Sequence, residues 1–270
     1  MVLCNKKGAW FIDHAPLSLP RIVGGIMYTF RIKIGNIVAA VESNYSYIRD
    51  ICEPYGSLDH PNCNICITKS DIKLEHDHEK HAEAGDIGLS DGSADWFLET
   101  YALLHKLLPI LPEYNMLFMH GSAIDFKGKA YIFVAPSGTG KSTHTRFWKD
   151  RFGDEVTIIN DDKPFLAFRD DKVYLCGTPW RGKHNIGQNL QVELGGICLL
   201  ARGPYNEICV VKPADVVSEL IQQSNLHSYK HNTLKALDLV EKLLTSVPLY
   251  RLLCTPTVDA VDVCSKEFLK

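Results

Sequence analysis

The sequence predicts an α/β core preceded by a smaller α+β segment. Two observations lead there. From about residue 117 onward, short apolar runs of strand character intermix with stretches of helical periodicity, the pattern of helices packed on a mixed sheet. Before residue 93 the signals are sparser: a hairpin, a short helix and a long stretch rich in Pro, Gly, Asp and His. The expected division is therefore a small N-terminal segment over 1–92 and a core domain over 93–270.

The elements follow in chain order. Residues 28–34 alternate apolar and polar side chains, turn at Gly35-Asn36 and resume over 37–42, which is a hairpin signature. A short helix is expected over 45–52, and one strand over 65–68 inside the irregular stretch 53–93. Ser93 can cap a helix reaching Leu108, since Phe97, Tyr101, Leu104 and Leu108 recur at helical spacing and Pro109 ends the run. Strands over 117–125 and 130–134 flank a Lys127-Gly128 turn. Further strands are expected at 156–159, 165–168, 172–176, 195–200, 207–211 and 249–254, and helices at 142–151, 214–222, 234–245 and 258–268.

Composition bounds the function. With 46% hydrophobic and 23% charged residues over 270 positions, the chain is not disordered, collagen-like or a coiled coil. A formal charge of −3 supplies no global field for a polyanion and no local basic patch stands out, so nucleic acid is not an expected partner. No apolar run approaches the roughly 20 residues that cross a bilayer, and the first residues do not read as a secretory signal; no membrane partner is expected. Nine cysteines in largely apolar contexts read as buried, reduced thiols of a cytoplasmic protein.

The chemistry concentrates after residue 134. Ala135-Pro-Ser-Gly-Thr-Gly-Lys-Ser142 matches the phosphate-binding pattern G-x-x-x-x-G-K-[ST] at every position but the first. A strand precedes it and a helix follows, so successive N–H groups can converge on phosphate oxygens. The expected nucleotide contacts are Ser137, Gly138, Thr139, Gly140, Lys141, Ser142 and Thr143, with Lys141 reaching the β/γ-phosphates and the Ser142 hydroxyl offered to Mg²⁺. Next, the apolar run 156–159 delivers Asn160-Asp161-Asp162 at its C-terminal end. Side chains alternate along a strand, so one aspartate can face the metal and the other an incoming hydroxyl.

His120-Gly-Ser-Ala-Ile, the loop ending in Lys141-Ser142, Asn160-Asp-Asp and Gly177-Thr-Pro-Trp-Arg-Gly-Lys183 occur in that order. Together they resemble the HPr kinase/phosphorylase catalytic domain and the wider phosphoenolpyruvate carboxykinase-like superfamily, over roughly 117–254. That resemblance implies phosphoryl transfer from ATP with Mg²⁺ on a mixed sheet built around the P-loop. It also implies that His120 lies beside the γ-phosphate and that Asp161 or Asp162 is the catalytic base or assists the metal. The catalytic set is then Asp161, Asp162, His120 and Lys141, and the metal set Ser142, Asp161 and Asp162.

Arg181 and Lys183 follow a Pro-containing turn and suit an anionic acceptor. The expected function is ATP- and Mg²⁺-dependent transfer to a hydroxyl of a small molecule or peptide. The alternatives are an HPr-type protein serine kinase/phosphorylase and a nucleotide-binding regulatory module, and self-association is expected. Cys63-x-x-Cys66 reads as a strand with Cys66 packed inward, His76 to His81 as a solvated surface run, and Trp96 and Trp148 as core.

Overall fold

The computed structural model describes the backbone at Val2–Cys4, Trp10–Ile12 and residues 27–81 and 93–270, with side chains over 27–78 and 93–270. Strands β1 (Val2–Cys4) and β2 (Trp10–Ile12) pair antiparallel. The expected hairpin forms as β3 (Tyr28–Ile34) and β4 (Ile37–Ser43), followed by α1 (Ser46–Cys52). β5 (Cys63–Cys66) then adds parallel to β4, completing a three-stranded sheet.

The sequence did not signal α2 (Lys69–His81), which buries little apolar surface: Ile72 is covered while Leu74 is exposed. α3 (Asp95–Leu107) starts one residue later than the sequence suggests, and its N-cap is Ala94 rather than Ser93.

A nine-stranded mixed sheet forms the body of the molecule. It comprises β6 (Met116–Phe118), β7 (Ser122–Phe126), β8 (Lys129–Val134), β9 (Val156–Asn160), β10 (Phe165–Arg169), β11 (Lys172–Cys176), β12 (Gln191–Arg202), β13 (Glu207–Val210) and β14 (Leu249–Cys254). Along its main path the order is β6-β10-β11-β12-β8-β7-β9, with β14 pairing β12 and β13. Helices α4 (Lys141–Phe152), α5 (Val217–Gln223), α6 (Thr233–Ser246) and α7 (Asp259–Phe268) flank it.

The single strand expected over 117–125 is two. β6 pairs with β10, β7 with β8 and β9, and between them the N–H groups of His120 and Gly121 leave the ladder for the carbonyls of Gln223 and Asp162.

The period-2 rule explains how both faces of the sheet are buried. On β8, Ala130, Ile132 and Val134 join a core cluster that runs from Ile32 through α3 to Leu249, while Tyr131 and Phe133 join a second cluster under α4 and α7. Trp148 is wholly buried in the second cluster, stacked near-parallel to Phe268 at 5.7 Å.

Three expectations fail for local reasons. Cys66 is exposed, because on β5 it faces opposite to buried Ile65. Cys209 is exposed on the peripheral strand β13. Trp96 keeps 42% of its surface in solvent, edge-on to Tyr47. Among the described residues no helix is long and apolar enough to cross a membrane.

Candidate active site

Sheet topology brings the motifs together. β7 lies between β8 and β9 and is antiparallel to both, so β8 and β9 run the same way and end on the same edge. The loop after β8, the acidic pair after β9 and the start of β7 therefore meet. The segment 186–188 closes onto the end of β9, with Asp161 N–H donating to Ile186 O and Gln188 N–H to Ile159 O.

The loop adopts a tight turn into α4, with Gly138 and Gly140 at φ of +75° and +119°, a backbone that L side chains rarely adopt. Lys141 Nζ folds back onto the loop, donating to the carbonyls of Ala135 at 2.8 Å and Pro136 at 3.4 Å. Burial pulls its ammonium below the ordinary lysine range, against the pull of Asp162 and Asp161 in the other direction. Outside the loop, Arg202 at the end of β12 donates to the carbonyls of Gly138 and Thr139.

The two aspartates diverge. Asp161 turns toward β7 and α4, accepting from Ser122 Oγ at 2.6 Å, with Thr145 Oγ1 at 3.5 Å. Burial raises its carboxyl above the usual aspartate range, although bonds from the Ser122 and Ser142 hydroxyls oppose that. Asp162 turns the other way. Its Oδ1 lies 3.4 Å from His120 Nε2 and its Oδ2 accepts from Lys163, whose ammonium also sits 5.6 Å from the centre of the Tyr101 ring. Burial alone would raise Asp162, but the His120 imidazole and the Lys163 ammonium hold it down to about 2. Asn160 sets this divergence: its Oδ1 accepts the N–H groups of Asp162 and Lys163, and its Nδ2 donates to Thr178.

These groups line a cavity of about 660 Å³. The expected residues His120, Ser137, Gly138, Gly140, Lys141, Ser142, Thr143, Asp161, Asp162, Arg181 and Lys183 are among its walls, and Thr139 is not. Lys183 is exposed at the rim, while the Arg181 guanidinium sits 5.7 Å from the Tyr55 ring centre with its buried Nε unpartnered. The opposite wall comes from the N-terminal half: Tyr47 and Ile51 of α1, and Phe97, Thr100 and Tyr101 of α3. Trp180 Nε1 donates to Thr100 O at 2.8 Å and ties the 177–188 segment to that wall.

Sequence reasoning missed Ser122, Thr145, Lys163 and Arg202, and also Arg146 of α4, which lines the cavity and donates from Nε to the Ser142 carbonyl at 3.2 Å. Only Lys163 had a signal, its place directly after the acidic pair.

No family model matches the chain, and no curated protein shows significant sequence similarity to it. Among solved structures it is similar to the HPr(Ser) kinase/phosphatase from Coxiella burnetii, at 10% identity and a TM-score of 0.30, over 56% of this chain and 96% of that one.

Proposed function

We propose that this chain is a kinase built on a phosphoenolpyruvate carboxykinase-like P-loop core, which transfers the γ-phosphoryl group of ATP in line to a hydroxyl of a small molecule or peptide. One observation carries the reading: a Gly-Lys-Ser loop and two oppositely directed aspartates open on one cavity.

The residues suit both the nucleotide and its metal. Lys141 rests on neutral backbone carbonyls rather than a carboxylate, so phosphate oxygens are a stronger partner for it. The Ser142 hydroxyl and the Asp161 carboxylate line the same cavity and offer the paired hard oxygens that Mg²⁺ takes. These two residues would hold Mg²⁺, which would supply neutralisation of charge on the transferring group.

The loop amides and Lys141 hold the donor, and Ser122 and Thr145 fix the Asp161 carboxylate. Asp162, held as a carboxylate by His120 and Lys163, accepts a hydrogen bond from the acceptor hydroxyl and aims that hydroxyl's oxygen at the γ-phosphorus; as the new P–O bond forms the bond to ADP breaks, and the hydroxyl proton passes to the carboxylate late in the step. Arg181 and Lys183 receive anionic groups of the acceptor.

The test is incubation of the purified protein with ATP and Mg²⁺ against pooled metabolites and peptides, following gain of one phosphoryl group by mass. Lys141→Ala is expected to abolish transfer and weaken ATP binding. Asp162→Asn is expected to slow turnover by about 100-fold or more with ATP affinity nearly unchanged. A folded Lys141→Ala protein with normal turnover would refute the assignment.

A further inference from the structure

We infer that Glu75, His78 and His105 form a binding site for a divalent ion of the zinc class that clamps α2 to α3. Glu75 and His78 are three apart on α2 and share one helical face, and His105 projects from α3, which packs alongside. His105 Nδ1 lies 2.8 and 2.9 Å from the two carboxylate oxygens of Glu75, and His78 Nδ1 lies 3.6 Å from Oε2. All three ligand atoms fall within 4.8 Å of one another. Tetrahedral zinc, with bonds of about 2.0 to 2.1 Å, needs its ligand atoms about 3.3 Å apart, so small side-chain rotations close the set.

Burial gives an independent reason. Glu75 is 3% exposed, and a buried carboxylate needs a compensating positive charge. Among the described residues its ion-pair partners are His78 and His105, neither of them a permanent cation, while the neighbouring Lys106 pairs with Asp71 at 3.0 Å. Two imidazoles and one carboxylate are a zinc ligand set, and the partly exposed rings of His78 and His105 leave an approach from solvent and room for a water ligand. The Cys-x-x-Cys pair offers no such set, since residues three apart on a strand point to opposite faces. The clamp would also bear on the cavity: Tyr101, one turn before His105 on α3, lines it.

The test is titration of chelator-treated full-length protein with ZnCl₂ by calorimetry and with Co²⁺ by visible absorption. One Zn²⁺ per chain is expected, with a Co²⁺ spectrum free of thiolate charge-transfer bands. His78→Ala and His105→Ala should each weaken binding about tenfold or more, while a Cys63→Ser/Cys66→Ser double variant leaves it unchanged. His78 is more than half exposed, so His78→Ala keeps the fold and the test interpretable if other variants unfold. Wild-type protein that binds no Zn²⁺, binding that survives both histidine substitutions, or a thiolate band would each overturn the site. None of these readouts depends on phosphoryl transfer.

Discussion

His144, one turn into α4, accepts a hydrogen bond from Trp148 Nε1 at 3.0 Å and meets the Phe133 ring edge-on at 4.6 Å. Burial pushes its imidazole from the ordinary 6.5 down to about 3. The unfolded chain therefore takes up a proton there that the folded chain refuses, and stability falls as pH drops from 6.5 toward 3. At pH 5 that is worth about 2 kcal/mol. Urea denaturation at pH 7 and pH 5 should show this loss in the wild type and a loss smaller by about that amount in His144→Leu; equal losses in the two proteins would exclude a buried neutral imidazole. At this scale the sequence was readable where chemistry is local. Lys141 and Ser142 follow from loop spacing and Asp161 from its strand end, whereas Ser122 reaches Asp161 across 39 residues and Arg202 reaches Thr139 across 63, contacts that no local pattern encodes.

The 177–188 segment is the element on which the acidic pair leans. Gly182 has a φ of +68°, and a Cβ built there would lie 2.9 Å from the Cβ of Asp162. Gly182→Ala is thus expected to cost about 1 to 3 kcal/mol of stability and to slow turnover by displacing Asp162. Lys183→Ala, its exposed neighbour, should stay within about 0.5 kcal/mol of wild type. Parallel denaturation and rate measurements on the two variants check this, and equal stability would remove the close approach as a constraint. Among the elements, those with a strong apolar period, such as β3 and α6, were legible because burial of one face dictates the period, while β8, buried on both faces, was legible as a continuous apolar run. α2 was not, because its covered face contains a carboxylate, Glu75, where a periodic reading looks for a hydrophobe.

On the scale of the molecule, the cavity belongs to neither half alone: α1 and α3 supply one wall and the ends of β8 and β9 the other. Buried Glu99 stitches the β4–α1 corner to α3, its Oε2 accepting the Tyr45 N–H at 3.0 Å and its Oε1 the Asn44 side-chain amide at 2.8 Å. The mixed α/β class was visible in the order of runs. The strand order was not, since β8 pairs with β7 through a two-residue turn but with β12 only across α4 and three intervening strands. That arrangement fixes when, during synthesis, the loop can become rigid. A nascent chain stalled before Gln191 has β7 to pair with one edge of β8, but nothing for the other edge and no Arg202 to grip Gly138 and Thr139. Ribosome-bound chains released at increasing lengths should leave α4 open to protease until β12 has emerged, then protect it abruptly. Protection appearing before residue 191 would mean that the loop assembles without its distant neighbour. A premature stop or a slow codon in this stretch would therefore yield a chain that already contains every residue of the Gly-Lys-Ser loop and still lacks the means to hold its shape.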